Sequence, residues 1–159
     1  MKLNTSFGKF KRLHKREVNQ TIVYSKNCKI VFHLAAIADI VPSIKKPLDY
    51  LNNNFMGTLN VLECMRANNV KKIVYAASAS CYGITKKFPT KETDKIDMAY
   101  PYAFSKYVGE LACLHWGKVY KMPMISIRIF NAYGPRSRTS NVYGAVIGVF
   151  FKQKIYSFS

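Results

Sequence analysis

A tyrosine and a lysine lie four residues apart near the middle of the chain, at Tyr102 and Lys106. On a helix, that spacing puts both side chains on one face, one turn apart. An ammonium beside a phenol favours the phenolate, and a phenolate that forms near neutral pH can act as a general base. Pro101 precedes the pair and suits a first helical position, because its missing N–H would have no partner there. The pair therefore predicts proton transfer at the start of a helix.

The same spacing carries little information when it is taken alone. The chain holds 11 tyrosines, so a lysine four residues after one of them is expected about once by chance. The spacing also occurs at Tyr82 and Lys86, but that pair contains Gly83 and is soon followed by Pro89, which is typical of a turn. An ordinary surface or core role for Tyr102 stays open until the rest of the chain is considered.

Three short apolar runs predict the elements that position this pair. Residues 29–36, 72–77 and 124–130 read as strands. The first is rich in β-branched side chains and is predicted to be buried on both faces, as parallel strands are, and the second is also predicted to be buried. Helical patterns fill the intervals at 47–69 and 101–120, and another is predicted at 142–154. Strands that alternate with helices predict an α/β fold with a parallel sheet.

Polar side chains follow two of the predicted strands. Ser78 and Ser80 come at the end of the second strand, and Asn131 follows the third. Open α/β sheets bind ligands at this edge, where the start of the Tyr102 helix also lies. The alternative is that Ser78 only caps a turn. We expect these side chains to meet in one site.

The predicted helices suggest which faces are buried. In the first, the apolar side chains that recur every three or four residues are Leu51, Phe55, Leu59, Leu62 and Met65. In the second, the expected core residues are Val108, Leu111, Ala112 and Leu114. The first helix also carries an amide patch, residues 52–54, which is either ligand-facing or solvated.

The composition limits the partners and the chemistry. The formal net charge of +17 predicts attraction to anions, such as nucleic acid, acidic membranes or phosphorylated metabolites, unless lysine merely solvates the surface. The four cysteines form no C-x-x-C pair and the three histidines have no metal-ligand spacing. Reduced thiols in a cytoplasmic protein without a metal site are therefore expected. The longest nearly apolar run, about nine residues, is too short to cross a bilayer.

In order and spacing, these residues resemble the extended short-chain dehydrogenase/reductase family, specifically its NAD-dependent sugar-nucleotide epimerases and dehydratases. The resemblance runs from about Lys29 to Lys154 and implies a partial Rossmann-type sheet flanked by helices. It rests on five segments, which are His33–Ala36, Asn53 with Gly57-Thr58, Ser78–Gly83, Tyr102–Lys106 and Arg128–Arg136.

The resemblance implies a role for each matching residue. It implies catalysis by Tyr102, Lys106 and Ser78. The cofactor would be NAD, and the residues implied to bind it are Leu34, Ala35, Ala36, Asn53, Tyr102, Lys106 and Phe130. The residues implied to bind the substrate are Ser78, Ser80, Tyr102 and Asn131.

The implied reaction is epimerisation of a nucleotide sugar, of the UDP-hexose 4-epimerase type, by transient oxidation at C4. A dehydratase, decarboxylase or reductase of the same family is the alternative. Ala79 and Ser80 follow Ser78 without an Asp-Glu pair, which favours an epimerase. The resemblance also implies a homodimer in full-length relatives and a cytoplasmic enzyme, with neither a membrane nor a nucleic acid as its partner.

The first βαβ unit of the family has no counterpart in this sequence. Its glycine-rich loop binds the cofactor pyrophosphate, whereas residues 1–28 contain one glycine, Gly8. We therefore divide the chain into a poorly specified basic segment at 1–28, a partial NAD-binding domain at 29–136 and the start of a substrate domain at 137–159. Such a truncated chain is expected to be impaired in activity, and a non-catalytic interaction module is the other hypothesis.

Overall fold

The structure is a computed structural model, and it describes residues 28–85, 88–132, 134, 150 and 153–154. The strands are β1 (Ile30–His33), β2 (Lys72–Ser78) and β3 (Met124–Ile129). The α-helices are α1 (Ile40–Lys45), α2 (Pro47–Tyr50), α3 (Gly57–Ala67) and α4 (Pro101–Val119). A π-helical segment, Leu51–Met56, joins α2 to α3, and a short 3₁₀ helix, Ala79–Tyr82, follows β2.

The three strands form one parallel sheet in the order β1-β2-β3. In this register His33 lies beside Tyr75, and Tyr75 lies beside Ser126. All three strands therefore end at the same edge of the sheet. This arrangement confirms the prediction of a partial Rossmann-type α/β fold with flanking helices.

The core lies between one face of the sheet and the helices α3 and α4. Ile73 and Tyr75 of β2 pack there with Leu62 of α3 and Cys113 of α4, and each is at most 2% exposed. Burying an apolar side chain of this size stabilises the fold by about 1.5–3 kcal/mol. This packing fixes the start of α4 relative to the ends of the strands.

The prediction that the first strand is buried on both faces is wrong. Phe32 of β1 is 59% exposed, and Ile125 and Ile127 of β3 are 61% and 48% exposed. These side chains alternate with the buried ones, so they belong to the opposite face of the sheet. The helices that build the core pack on one side only, and within the described residues the other face is left open.

The boundaries of α4, β2 and β3 agree with the prediction to within one residue, whereas the predicted helix at 47–69 is divided into α2, the π-helical segment and α3. The helix α4 begins at Pro101 and ends at Val119, as predicted. The first strand ends at His33 rather than at residue 36, and α1 was not predicted. The basic segment 1–27 and most of the predicted helix at 142–154 lie outside the described residues. In the part of the chain that the structure describes, no helix is both long and apolar enough to cross a membrane.

The buried face of α4 is more polar than predicted. Ala112 is buried, but Leu111 and Leu114 are 44% and 49% exposed, so their assignment to the core is wrong. Lys106 and Glu110 are buried in their place, at 4% and 5% exposure. The arrangement is stable because Glu110 is paired with an arginine of β3. Hydrophobic periodicity does not predict this buried face, because its polar residues depend on partners that are distant in the sequence.

Candidate active site

A pocket of about 570 Å³ opens at the edge of the sheet where the strands end. It lies between the ends of β2 and β3, the start of α4 and the loop that follows the 3₁₀ helix. Five of the residues assigned to the site from the sequence line it together, namely Ser78, Ser80, Tyr102, Phe130 and Asn131. A further wall, to which no role is assigned from the sequence, is formed by the last residue of the 3₁₀ helix and by the loop, namely Tyr82, Gly83, Ile84, Thr85, Phe88 and Thr90.

The two serine hydroxyls in the pocket form a pair. The Oγ atoms of Ser78 and Ser80 are 2.8 Å apart, and the Ser80 N–H also donates to Ser78 Oγ at 3.3 Å. Ser78 thus caps the 3₁₀ helix, which was the alternative for this residue, and lines the pocket as well. The cap orients the hydroxyls, so the pair can offer a hydrogen bond to an oxygen in the pocket.

Tyr102 lies in the first turn of α4, and its ring packs against Tyr50 of α2. The two ring centroids are 6.2 Å apart and the rings are nearly perpendicular, a favourable edge-to-face contact. Tyr50 is 5% exposed and donates its hydroxyl to the carbonyl of Ala38. Tyr102 therefore has a rigid neighbour on one side and the pocket on the other.

Lys106 lies one turn further along α4, in the core rather than on the pocket wall. Its Nζ is 4.6 Å from the centroid of the Tyr75 ring. Burial lowers the pKa of Lys106 to about 8, because the charged form loses its hydration. The ion pairs between described residues join Arg66 to Glu63 and Arg128 to Glu110, so no carboxylate pairs with Lys106 in that part of the chain.

The amide patch on the first helix contains one buried side chain, and it is Asn54 rather than Asn53. Asn54 accepts from the N–H of Ile37, and its amide nitrogen donates to the Ile37 carbonyl and to Ser105 Oγ. Asn53 is half-buried and donates to the carbonyl of Asp49 in a solvent-exposed hydrogen bond. The structure therefore gives the structural contacts to Asn54 and leaves the predicted cofactor residue Asn53 with a partly accessible amide.

Three other residues assigned to the cofactor, Leu34, Ala35 and Ala36, form an exposed segment directly after β1. They do not line the pocket, but they follow the strand beside β2 and so lie at the same edge of the sheet. The two bonds from Asn54 to Ile37 fix the end of this segment. Small exposed side chains on a fixed backbone leave room for a flat ligand to approach closely.

Arg128 of β3 holds the wall of the pocket, a role that the sequence did not indicate. Its guanidinium pairs with Glu110 at 3.0 Å and donates to Tyr82 Oη at 2.6 Å and to the Glu92 carbonyl at 3.0 Å. The Tyr82 ring in turn stacks on Phe130, with centroids 6.5 Å apart. The signal that could have identified it is the single charged residue in a strand whose other residues are apolar except for one serine.

Comparison with known proteins places these features in a family. A model of the NAD dependent epimerase/dehydratase family matches residues 5–155. The chain is 33% identical to Protein CapI of Staphylococcus aureus over 138 residues, which are 86% of this chain and 41% of that protein. It is 38% identical to UDP-glucose 4-epimerase of Lacticaseibacillus casei over 105 residues, which are 65% of this chain and 31% of that protein.

A solved structure shows the same relationship. The chain is similar to UDP-N-acetylglucosamine 4-epimerase from Methanobrevibacter ruminantium, determined in complex with UDP-N-acetylmuramic acid, with a TM-score of 0.83 and 30% identity. The match covers 91% of this chain and 47% of that protein. The chain thus spans less than half the length of these relatives. With a family model that matches nearly all of its residues, the chain belongs to the NAD dependent epimerase/dehydratase family.

Proposed function

We propose that this chain carries the catalytic part of an NAD-dependent nucleotide-sugar epimerase that inverts C4 of a UDP-hexose. The observation that carries the proposal is the pocket, which Ser78, Ser80 and Tyr102 line together at the end of a parallel sheet. Hydroxyl-bearing side chains around one space suit a sugar hydroxyl that must lose and regain a proton. The 4-epimerases among the relatives support this substrate class.

In the proposed reaction, Tyr102 Oη takes the proton of the C4 hydroxyl as the C4–H bond breaks, and later returns it. The Ser78–Ser80 pair donates a hydrogen bond to the same oxygen while its charge changes. Asn131, exposed at the end of β3, would contact the nucleotide sugar. The chemistry supplied by NAD, when it is bound, is reversible acceptance of the C4 hydride.

The described residues fit a dinucleotide at this edge. The exposed segment of Leu34, Ala35 and Ala36 offers a surface without bulky polar groups, and Phe130, which is 64% exposed, lies beside the pocket. The Lys106 ammonium would bond a ribose hydroxyl and stabilise the phenolate form of Tyr102, which is the form that accepts the proton. Asn53 stays part of the proposal as a residue near the cofactor, since its half-buried amide makes a solvent-exposed hydrogen bond and not the buried contacts that hold Asn54.

Within the family, the pocket favours an epimerase over a dehydratase. Elimination of water from a sugar needs a carboxyl or an equivalent acid–base group beside the tyrosine. Among the described residues that line the pocket, none is Asp or Glu. The hydroxyl-rich lining suits proton exchange at one oxygen and offers no second acid for elimination.

A non-catalytic interaction module is the second candidate, and one observation favours it. The open face of the sheet exposes Phe32, Ile125 and Ile127, and exposed apolar surface of this kind is typical of association sites. Sedimentation velocity tests this candidate, because an interaction module is expected to self-associate in a concentration-dependent way. A concentration-independent monomer would argue against it, and against the homodimer that the family resemblance implies.

The chain incubated with NAD and UDP-glucose provides the test of the epimerase proposal. Proton NMR of the anomeric signals is expected to show UDP-galactose growing to an equilibrium mixture, with no net formation of NADH. Accumulation of a keto sugar would instead support the dehydratase alternative. A folded chain that leaves UDP-glucose unchanged at millimolar NAD would contradict the proposal for this chain.

A further inference from the structure

The Lys106 ammonium is buried against an aromatic ring rather than against a carboxylate. Lys106 is 4% exposed and Tyr75 is 1% exposed, and Nζ lies 4.6 Å from the ring centroid. A cation within about 6 Å of a ring centroid is attracted by the negative face of the ring, most strongly where water is excluded. The ring thus supplies a negative partial charge to an ammonium that forms no ion pair with the carboxylates of the described residues.

The Tyr75 ring is held at a fixed place on the helix. Its hydroxyl donates to the backbone carbonyl of Lys106 at 3.2 Å, so the residue that carries the ammonium also anchors the ring. Gly109, one turn beyond, leaves the space that the tyrosine hydroxyl needs, because a Cβ there would overlap Tyr75 Oη. The backbone contact and the missing side chain together keep the ring under the ammonium.

The other titratable groups near Lys106 carry no charge at neutral pH or are paired elsewhere. His33 of β1 is kept neutral because burial, and then the Lys106 charge, lower its pKa to about 4. Burial raises the pKa of Cys113 on α4 to about 12 and also raises the pKa of Tyr75. Glu110 is engaged by Arg128. The Tyr75 ring is therefore the group that faces the ammonium most directly.

We propose that Tyr75 is a positioning residue that holds the Lys106 ammonium in place through a cation–π contact. The contribution of this contact to catalysis rests on the proposed function, in which Lys106 assists Tyr102. The contact itself can be tested without substrate or cofactor, so its failure and the failure of the proposed function are separate results.

The test is an NMR titration of the Lys106 side chain in the full chain with isotope-labelled lysine. The signal is assigned by its loss in Lys106→Arg. Tyr75→Phe keeps the ring and is expected to leave the pKa of Lys106 within about half a unit of wild type. Tyr75→Leu removes the ring and is expected to lower that pKa by about one unit or more. Tyr120→Leu is the matched control, because the Tyr120 ring faces Arg66 instead, and no change is expected.

A graded series keeps the proposal testable where Tyr75→Leu fails to fold. Phenylalanines with one, two or three ring fluorines at position 75 keep the shape and progressively weaken the negative face of the ring. The pKa of Lys106 is expected to fall stepwise along the series. An unchanged pKa across the fluorinated series, or an equal fall in Tyr75→Phe and Tyr75→Leu, would overturn the proposal and leave Tyr75 as a core-filling residue.

Discussion

The Asn54 side chain donates to the Ser105 hydroxyl at 2.9 Å, across 51 residues of sequence. Ser105 in turn donates to the carbonyl of Tyr102 in the first turn of α4. The π-helical segment that carries Asn54 is therefore bonded to the turn that carries the candidate base. The same amide holds the backbone of Ile37 after β1, so one side chain links two walls of the site.

Asn54→Ala is expected to destabilise the chain by about 2–4 kcal/mol, because the buried backbone groups of Ile37 and the Ser105 hydroxyl lose their partner. Asn53→Ala is the matched control and should change stability by less than about 1 kcal/mol, since its half-buried side chain loses a solvent-exposed hydrogen bond to the Asp49 carbonyl. Urea denaturation measures both values. Equal effects of the two substitutions would contradict the distinction between the neighbouring amides.

Arg128→Met is expected to cost about 3–5 kcal/mol, because it leaves Glu110 buried without its partner. The double variant Arg128→Met with Glu110→Leu removes both charges and should recover a large part of that loss. Thermal and urea unfolding of the single and double variants form a mutant cycle. Strictly additive losses would show that the pair is not coupled.

Gly57 and Gly109 both lie in helices but have different surroundings, so replacement by alanine is expected to change stability in opposite directions. A Cβ added at Gly57 in α3 would meet no atom within 4 Å, so Gly57→Ala should stabilise the chain by about 0.5–1 kcal/mol. Gly109 faces the Tyr75 hydroxyl, and Gly109→Ala should destabilise the chain because the ring must move. Urea denaturation of both variants measures the two effects. Stabilisation by both substitutions would show that Tyr75 does not need the space at Gly109.

Because His33 is buried, we expect the folded chain to lose stability in mild acid. Burial and the Lys106 charge lower its pKa to about 4 from 6.5, so the unfolded chain binds more protons between these values. Stability should therefore fall by about 3 kcal/mol as the pH decreases from 6.5 to 4. His33→Gln should flatten this part of the profile, whereas His115→Gln, an exposed control, should not. An unchanged slope in His33→Gln would assign the acid sensitivity to other groups.

Because the Lys106 ammonium is buried, we expect the folded chain to gain stability when this charge is removed. The folded chain lowers its pKa to about 8 from 10.5, so at pH 7 the buried ammonium opposes folding, and stability should rise as the pH increases from 8 to 10.5. Lys106→Met is expected to stabilise the chain by about 2 kcal/mol at pH 7 while it abolishes catalysis. Destabilisation by this substitution at pH 7 would indicate that Lys106 has a structural role.

The sequence predicts the strands and the start of α4 because local features specify them. Three β-branched runs give the three strands, and Pro101 marks the first residue of α4. The fully buried stripe of the preceding helices is Tyr50, Asn54, Thr58 and Leu62, and all four residues of that stripe are at most 5% exposed. The apolar residues Leu51, Phe55 and Leu59 have the same spacing of four residues, so hydropathy favours them over the polar Asn54 and Thr58. Phe55 and Leu59 are partly buried and pack against the core.

Contacts between distant residues explain what the sequence does not predict. Glu110 and Arg128 are 18 residues apart, and a hydropathy pattern cannot show that each neutralises the other inside the fold. The pocket wall that Arg128 holds has the composition of an ordinary polar loop. The exposed face of the sheet escapes prediction because apolar parallel strands are usually covered on both sides.

The most direct test of the catalytic assignment compares UDP-glucose conversion by the wild-type chain, Tyr102→Phe and Tyr120→Phe with NAD present. Tyr102→Phe removes the candidate base and keeps the ring that packs on Tyr50, so the rate should fall by about 100-fold or more. Tyr120→Phe, at the far end of the same helix, should match the wild type. A Tyr102→Phe chain that converts UDP-glucose at the wild-type rate would contradict the assignment of this pocket as the catalytic site.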